Sequence, residues 1–349
     1  MRTVSDKDLA KSLTSIHGKL NKSSLNLVSI IKNEAFFLKA WLDHYRNLGV
    51  EQFILIDDGS DDGSLEYLCD QPDCVVLQSP FKYGQEIMQR SRRTPWRINS
   101  VRAGIKFKSL LPSKYSRGTW CIYADPDEFL LLPRSISPLN TATNWLDNAG
   151  VGLVAGSVVE FYPQSIDDML TSAPPPSSFD ELLALSPYFD KRPLIHIDRS
   201  GNINRLNKSA SGRLFDTFGI ETDENKAKSS TKKHYPSNPM AIGSATHKVP
   251  LHKPSWRIKL KSGHKGTVTP SNIFMPCVAH FKFTPDMGRR TQEALRTRAW
   301  SRGSAKYTRY ELLFQEMRRC NGSFLGPDSV AFESARDLED SGCITMSLE

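Results

Sequence analysis

The sequence of 349 residues lacks several features that mark particular protein classes. Its six cysteines form no CxxC pair, so the spacing of a zinc site is absent. Spread thinly along the chain, they are typical of reduced and mostly buried thiols in a cytoplasmic protein. No apolar run approaches the roughly 18 residues that a membrane-spanning helix needs. The amino-terminal segment is polar and has no apolar signal-peptide core. We therefore expect a cytoplasmic protein without membrane spans.

Common nucleotide-binding signatures are missing as well. The first predicted strand is followed by IIKNEAFF, which is not the GxGxxG of a nicotinamide enzyme, and the P-loop pattern GxxxxGK[ST] is absent. No zinc-finger, basic-zipper or RNA-binding aromatic motif accompanies the net charge of +8, so we expect no nucleic-acid partner. The charge suits phosphates or acidic lipids, and a merely solvated basic surface explains it equally well.

Strand and helix patterns alternate through the first half of the chain. Apolar runs predict strands at 25–31, 52–56, 74–78, 119–124 and 151–163. Helical spacing predicts helices at 33–49, 96–111 and 143–149, the first capped by Asn33 and ended by Gly49. This alternation favours an α/β fold with a mostly parallel sheet flanked by helices, in which ligands bind at the carboxyl ends of the strands.

The domain organisation follows from the same patterns. Residues 1–24 form a polar amino-terminal segment, and residues 25–320 form one large domain. Within that domain, 25–165 is the regular half, whereas 166–320 is irregular and turn-rich before it becomes helical again. Residues 321–349 carry weak patterns, and we expect them to form a loosely attached carboxyl-terminal tail.

Two acidic clusters follow predicted strands. The first is Asp57-Asp58-Gly59-Ser60, whose carboxylates can accept hydrogen bonds from a nucleoside while the glycine lets the backbone approach closely. The alternative is an acid–glycine turn that caps the next helix. An EF-hand reading fails, because the position that requires glutamate is Cys69.

The second cluster is Asp125-Pro126-Asp127-Glu128, directly after the run WCIYA. Carboxylates two residues apart can bind a hard divalent cation that also binds substrate phosphates. An aspartate–proline turn is the alternative. An aspartyl-nucleophile phosphatase is disfavoured, because DPDEF lacks the small hydroxyl residue that would follow. Two acidic strand ends in one sheet favour a nucleotide site with a metal on its diphosphate.

These motifs, taken together, resemble glycosyltransferase family 2. The stretch IKNEAFFLKAWLDHYRNLGVEQFILIDDGSDDGSLEYL is similar to the opening of a bacterial subgroup, and TWCIYADPDEFLLLP resembles its DxDEFL metal segment. The similarity extends through SFDELLALSPYFD, SGRLF, HKVPL, SGH, AHFKF and EALRTRAWSRGSAKYTRY, over about residues 25–318. Asp58 stands where the subgroup often has asparagine, and Pro126 replaces a more usual small residue.

The resemblance implies a GT-A fold and an inverting transfer of a sugar from a nucleotide-sugar donor, a UDP-sugar before others. Residues 25–165 become the nucleotide-sugar-binding half and 166–320 the acceptor half. The implied metal ligands for Mn²⁺ or Mg²⁺ are Asp125 and Asp127. The implied contacts to the nucleotide sugar are Asn33, Glu34, Asp57, Asp58, Arg213 and Lys248.

Further residues are candidates for the general base and for contacts to a metal or the acceptor. A general base must take the proton of the acceptor hydroxyl. Glu160 matches a usually acidic position of the subgroup, with Asp216 and Asp286 as alternatives. His264 and His280 are candidates for a metal or acceptor contact, and structural roles are the alternative for both.

Aromatic and basic side chains offer further contacts. Trp96 and Trp256 can stack on a sugar or pack in a core. The basic run at 296–302 can lie on a helix facing an anionic membrane, and a solvated face is the alternative.

The function that these patterns predict is a metal-dependent glycosyltransferase acting on a glycan or lipid-linked acceptor, for a bacterial surface polysaccharide or glycolipid. It would work in the cytoplasm, with a peripheral position at the inner membrane as an option. The alternative is a non-catalytic nucleotide-sugar-binding or scaffold relative with the same fold, which UDP release from candidate donors would separate from an enzyme.

Overall fold

Apolar runs bounded by turn residues form the strands of the first half, as the sequence predicts. The computed structural model describes residues 3–91, 94, 96–136, 138–220, 243–298 and 304–347. The run LNLVSII forms a strand over Leu25–Ile31 and QFILID another over Gln52–Asp57. Nearly every residue of both is buried, which is the pattern of strands covered on both faces.

The described strands divide between the two halves of the chain. The strands before residue 165 are β1 (Thr14–His17), β2 (Leu25–Ile31), β3 (Gln52–Asp57), β4 (Cys74–Gln78), β5 (Glu86–Arg90), β6 (Ile98–Arg102), β7 (Trp120–Tyr123), β8 (Glu128–Leu131) and β9 (Leu153–Glu160). The later ones are β10 (Tyr188–Asp190), β11 (Ile195–Ile197), β12 (Ile203–Arg205), β13 (His247–His252), β14 (Leu260–Ser262), β15 (Lys265–Gly266), β16 (Phe274–Met275), β17 (Cys277–His280), β18 (Ser329–Ala331) and β19 (Thr345–Met346).

The helices lie mainly between these strands. They are α1 (Asp6–Ser12), α2 (Ala35–Asn47), α3 (Ser64–Cys69), α4 (Ala103–Tyr115), α5 (Leu139–Asn148), α6 (Ile166–Leu170), α7 (Phe179–Leu185), α8 (Ala210–Thr217), α9 (Met287–Thr297), α10 (Ala305–Arg319) and α11 (Ala335–Asp340), with a 3-10 turn at Arg134–Ile136. Every described helix is too short or too polar to cross a lipid bilayer.

Nine strands form one central sheet in the order β1-β4-β3-β2-β7-β13-β9-β17-β8. The four neighbours β4, β3, β2 and β7 are parallel to one another, as expected for the first half. Strand β13 is antiparallel to both β7 and β9, and β17 is parallel to β9. The α/β class and the large central sheet are therefore confirmed, and the antiparallel pairs lie mostly beyond β7.

The two faces of the sheet carry separate layers of the core. Along β2, Leu27 belongs to the layer beneath α2, which includes Trp41. Its neighbour Val28 belongs to the opposite layer, beneath α4, which includes Phe107. Because successive side chains of a strand point to opposite faces, one continuous apolar run supplies both layers.

Several charged residues lie at one edge of this sheet. Strands β2, β3 and β7 all end there, so Lys32, Asp58 and Asp125 follow at neighbouring positions. Strand β13 runs the opposite way, which brings its second residue, Lys248, to the same edge. Charged groups concentrate at this edge because it lies outside the apolar layers.

The second half adds strand ends to the same edge. Strands β9 and β17 are parallel and end at Glu160 and His280, which are paired in register. Antiparallel β8 begins at Glu128, opposite His280. The edge therefore receives residues from both predicted halves of the chain.

Three local predictions require correction. The helix expected at 96–111 begins at Ala103, because residues 98–102 form β6 of a hairpin with β5. The helix expected at 143–149 begins earlier, at Leu139. Asn33 does not cap α2, whose first turn has Glu34 as cap residue without a side-chain hydrogen bond. The other end agrees with the sequence, since Gly49 follows the helix with a φ of 95°.

Residues 321–347 do not behave as a loose tail. Strand β18 pairs with β10, and β19 pairs with β16. Phe324, Leu338 and Cys343 have fully buried side chains. The predicted tail is wrong, because these short segments have weak periodicity of their own. They are stabilised by pairing with strands that are distant in sequence.

Candidate active site

A cavity of about 250 Å³ lies at the carboxyl edge of the parallel strands. The loops after β2 and β7 form one side, and β17, α9 and α10 form the other. We refer to it as the first cavity. Its charged lining consists of Lys32, Glu34, Lys108, Asp125, Asp127, Glu128, His280, Lys282, Arg290 and Lys306. Such a lining favours a polar, anionic ligand over an apolar one.

Asp125 lies among cations. Its carboxylate accepts hydrogen bonds from Tyr123 Oη at 2.7 Å and from Lys248 Nζ at 2.8 Å, and Lys108 Nζ lies at 3.4 Å. Burial by itself raises the pKa of Asp125, but Lys108 and Lys248 outweigh it and hold that pKa well below the usual range. Asp125 is therefore a carboxylate at every physiological pH.

Asp127 faces a different set of partners. Its Oδ2 accepts from Arg290 Nη1 at 2.9 Å and lies 3.2 Å from His280 Nε2. Burial raises the pKa of Asp127, and Arg290 and His280 again lower it well below its usual range. The two carboxylates of the DPD motif thus remain ionised, Asp125 beside Lys108 and Lys248 and Asp127 beside Arg290.

Mn²⁺ or Mg²⁺ would need several oxygen ligands beside the DPD motif. Within the described residues, no group of three or more His, Cys, Asp or Glu side chains is placed to hold a metal. His280 Nε2 faces Asp127, and its Nδ1, on the other side of the ring, has no hydrogen-bond partner among the described residues. Since Mg²⁺ often takes only one or two carboxylates and completes its shell with substrate phosphates and water, Asp125 and Asp127 offer the carboxylates of a partial site.

Glu34 lines the first cavity, where the sequence predicts a nucleotide-sugar contact. Among the described residues, its Oε2 is buried without a hydrogen-bond partner, and Oε1 lies 3.7 Å from Arg290 Nη2. Burial raises the pKa of Glu34 to about 8, against the lowering effect of Arg290. At neutral pH the carboxyl group is therefore largely protonated and can donate a hydrogen bond to a ligand.

Asp57 and Asn33 hold the loops around this edge and do not line the cavity. The Asp57 carboxylate accepts hydrogen bonds from the backbone N–H groups of Gly59, at 2.9 Å, and Ser60, at 3.1 Å. Asn33 Oδ1 accepts from the N–H of Asp61 at 2.9 Å, and Asn33 Nδ2 donates to Glu293 at 3.1 Å. The Asp57 carboxylate of the DDGS motif therefore stabilises a turn. A turn is the alternative role that the sequence predicts for this motif.

Asp58 acts through a neighbour. Its carboxylate accepts a hydrogen bond from the N–H of Tyr83 at 3.0 Å, and the Tyr83 side chain lines the first cavity. Tyr83 packs on α4 at Gly104, where a Cβ atom would collide with the tyrosine ring. Asp58 and Gly104 together fix the position of an aromatic side chain at the cavity wall.

A second cavity of about 450 Å³ adjoins the first. The two share Tyr83, Lys108, Asp125, Glu128, His280 and Lys306 as lining residues. Arg102, Lys248 and His264 line the second cavity and not the first. Lys248 is almost fully buried and forms ion pairs with both Asp125 and Glu128, so it connects the acidic motif to this cavity.

His264 has its ring fixed by backbone contacts. Its Nδ1 lies 2.8 Å from the carbonyl oxygen of His247, while His247 Nε2 lies 3.1 Å from the carbonyl oxygen of His264. A carbonyl oxygen can only accept, so Nδ1 of His264 carries the hydrogen and Nε2 is left as an acceptor. His264 therefore presents a ring nitrogen that can accept a hydrogen bond. This fits the predicted contact of His264 with the acceptor substrate.

Glu160 lies behind the cavities. Its side chain is 0% exposed, and it forms an ion pair with Lys282 Nζ at 2.5 Å. The Ser211 hydroxyl donates to it at 2.6 Å, and so does the Ser211 N–H. Burial raises the pKa of Glu160, but the ammonium groups of Lys282 and Lys306 lower it below its usual range. Its role as base stays a prediction, and these contacts favour a structural anion instead.

The other predicted acids and Arg213 also lie outside both cavities. Asp216 is paired with Lys208 at 2.5 Å, and Asp286 with Arg289 at 2.7 Å. Arg213 donates to the buried Asp190 at 2.9 Å. The structure therefore brings Glu34, Asp125, Asp127, Lys248, His264 and His280 together at the two cavities, and leaves Arg213 with Asp190.

The sequence patterns did not identify several cations of the site. Lys108 is on α4, Arg290 on α9 and Lys306 on α10, each in a helix whose other buried side chains are apolar apart from Thr291 of α9. A lysine or arginine on the buried face of an amphipathic helix is the signal that could have identified them, because such a side chain needs an anionic partner.

The aromatic and basic candidates lie elsewhere. Trp96 is 83% exposed and Trp256 is 69% exposed, so neither packs in a core and neither lines a cavity described above. In the basic run at 296–302, only residues 296–298 belong to the described part of the chain, at the end of α9. The membrane-facing helix predicted there stays a prediction.

Comparisons with known proteins provide little further evidence. No protein-family model matches the chain. No curated protein matches it in sequence. Among solved structures, the crystal structure of S. aureus TarS matches 46% of this chain with 13% identity and a TM-score of 0.28. The chain covers 29% of the length of TarS. A likeness of this size does not support an assignment.

Proposed function

We propose that this protein is a glycosyltransferase of GT-A type that transfers a sugar, with inversion, from a UDP-sugar or related donor to a glycan or lipid-linked acceptor of a bacterial surface. The observation that carries the proposal is the meeting of the DPD carboxylates with Lys108, Arg290 and Lys306 at one cavity. Anions and cations in one polar cleft suit a substrate that combines hydroxyl groups with phosphates.

The donor would occupy the first cavity. Its diphosphate oxygens would accept hydrogen bonds from Lys108 and Arg290, which would reduce the charge that develops on the leaving nucleoside diphosphate. Asp125 and Asp127 would hold Mn²⁺ or Mg²⁺, which would supply Lewis-acid neutralisation of the same diphosphate. Asp58 would support the nucleoside side of the cavity through Tyr83.

An inverting transfer needs a proton acceptor on the face opposite the leaving group. Glu160 is the candidate that the sequence resemblance implies, with Asp216 and Asp286 as alternatives. His264 lines the second cavity with an acceptor nitrogen and would contact the incoming hydroxyl. Glu34, as a protonated group in the first cavity, would donate a hydrogen bond to the donor.

The direct test is a thermal-shift screen of UDP-sugars and other nucleotide sugars, with and without Mn²⁺. A ligand at a hundred times its Kd stabilises the folded protein by about 2.7 kcal/mol. We expect at least one donor to raise the melting temperature, more strongly with Mn²⁺, and to release UDP on incubation. Stabilisation without UDP release in the presence of any acceptor would favour the non-catalytic relative. No stabilisation by any nucleotide sugar would contradict the proposal.

Replacing His264 by alanine should raise KM for the acceptor by about tenfold, because one hydrogen bond to the acceptor is lost. The rate at which water, in place of the acceptor, releases UDP from the donor should not change. The matched control is His196→Ala, since His196 is an exposed residue of β11 outside both cavities. If His264→Ala instead slowed the release of UDP by water about tenfold, His264 would contact the donor or the metal.

A further inference from the structure

We propose that the second cavity is the acceptor subsite and that it selects an acceptor carrying an anionic group, a phosphate or a carboxylate, close to the hydroxyl that receives the sugar. This inference rests on the proposed function, and it adds the chemical class of the acceptor. The residues that carry it are Arg102 and Lys306, with His264 as the hydroxyl contact.

The second cavity balances part of the charge of its own lining. Asp125 and Glu128 are the carboxylates in its lining. Both are paired with Lys248, and Lys108 lies 3.4 Å from Asp125. Two carboxylates and two ammonium groups therefore neutralise one another within the lining.

Two cations remain after this balance. Arg102 and Lys306 line the cavity, and among the described residues neither has a carboxylate within ion-pair distance. Lys306 Nζ donates to the hydroxyl of Ser244 at 2.8 Å, a neutral partner. A guanidinium group presents several donors in a planar fork that matches phosphate and carboxylate oxygens. The lining thus carries unbalanced positive charge that an anionic ligand would neutralise.

The surroundings of Lys306 support the same conclusion. Burial and the nearby ammonium group of Lys282 lower the pKa of Lys306, and the opposing effects of Tyr310 and Glu160 do not compensate for them. The charge of Lys282 is itself balanced by Glu160, so this carboxylate is already engaged. An anion bound between Lys306 and Arg102 would supply the partner that the protein does not provide.

The location suits an acceptor and not a second donor site. The second cavity lies over β13 and β9, on the side away from the strand ends that carry Lys32 and Glu34. It shares Asp125 and Lys306 with the first cavity, so ligands in the two cavities would meet at this shared wall. Its volume of about 450 Å³ is in the range of small-molecule sites.

The test measures binding of three probes to the full chain saturated with UDP and Mn²⁺, by calorimetry. The probes are glucose, glucose 6-phosphate and glucuronate, so that neutral, phosphate and carboxylate ligands of similar size are compared. We expect at least one anionic sugar to bind about tenfold more tightly than glucose, because a charge-assisted hydrogen bond is stronger than one between neutral groups; tenfold corresponds to about 1.4 kcal/mol. The better anionic probe identifies the preferred group.

Variants assign that binding to the cavity. Arg102→Gln should weaken the binding of the anionic sugar by about tenfold and leave the affinity for glucose unchanged. Arg102→Lys should restore part of the affinity for the anionic sugar. The matched control is Arg117→Gln, since Arg117 is exposed and lines neither cavity. This variant should bind anionic sugars as the wild type does.

Three results would overturn the inference. They are equal affinity for glucose and its anionic counterparts, full binding of the anionic sugar to Arg102→Gln, and displacement of the anionic sugar by UDP. Binding of UDP and hydrolysis of a UDP-sugar by water are independent of the acceptor. If those persist while the anionic sugar fails to bind, the proposed function stands and the acceptor class is wrong.

Discussion

The Asp127→Asn variant should lose sugar transfer by about a hundredfold to a thousandfold, the usual cost of removing one group that stabilises transition-state charge. Asp127 contacts both Arg290, at 2.9 Å, and His280, at 3.2 Å. An uncharged amide would leave the buried guanidinium of Arg290 without its close carboxylate and weaken metal binding. The measurements are the initial rate of UDP release with acceptor and the Mn²⁺ concentration that gives half the maximal rate.

The matched control is Asp147→Asn. Asp147 forms a surface ion pair with Lys253 at 2.9 Å and is 39% exposed, so its loss should cost at most about 1 kcal/mol of stability and leave turnover unchanged. Asp125→Asn is a second arm and should also abolish transfer, through Lys108 and Lys248. Wild-type turnover in Asp127→Asn, with a folded protein by circular dichroism, would refute the metal and diphosphate assignment.

The Glu160→Gln variant should be destabilised by about 3 kcal/mol, because one partner of a buried ion pair is removed and Lys282 keeps its charge. Glu160 is 0% exposed, and Lys282 is 10% exposed. Urea denaturation should therefore show a lower midpoint with an unchanged slope. If Glu160 is instead the general base, transfer should drop by about a hundredfold or more while stability and donor affinity stay near wild type.

The control for stability is Glu339→Gln. Glu339 pairs with Arg134 at 3.3 Å, and Arg134 is 57% exposed, so at most about 1 kcal/mol should be lost. Asp216→Asn and Asp286→Asn complete the comparison of transfer rates among the candidate bases. Should Glu160→Gln be as stable as Glu339→Gln and inactive, the structural role derived from its contacts would be wrong.

The pH dependence of Glu160 follows from its lowered pKa in the folded state. The ion pair contributes stability above the unfolded-state pKa of a glutamate, about 4.3. That contribution is lost as pH falls below this value, because the unfolded state takes up the proton first. The stability difference between wild type and Glu160→Gln should therefore narrow in acid.

Much of the parallel half was predictable because its signals are local. Strand β2 at Leu25–Ile31 and strand β4 at Cys74–Gln78 have the predicted bounds. Their β-branched and leucine side chains fit a sheet buried on both faces, and polar residues flank them, Ser24 and Lys32 at β2 and Asp73 and Ser79 at β4. The acidic residues at 57–58 and 125–127 follow from the same rule, since the carboxyl ends of parallel strands share one edge.

The hairpin at 86–102 and the segments near the carboxyl terminus were not predictable in this way. Strand β6 is mostly exposed, and β18 and β19 are stabilised by β10 and β16, which are distant in sequence. Short elements of this kind carry little periodicity. Their conformation depends on non-local pairing, and a single sequence does not reveal which segments will pair.

The sequence by itself determined the α/β class, the parallel strands and the place of the acidic motifs, because each depends on the order of apolar and polar residues along a short stretch. Only the tertiary structure decided what those motifs contact. Arg290 and His280 come to Asp127 from α9 and β17, while Lys248 comes to Asp125 from an antiparallel strand. Contacts between residues more than a hundred positions apart are set by packing and strand order, which also turned Asp57 toward its own turn and buried Glu160 against Lys282.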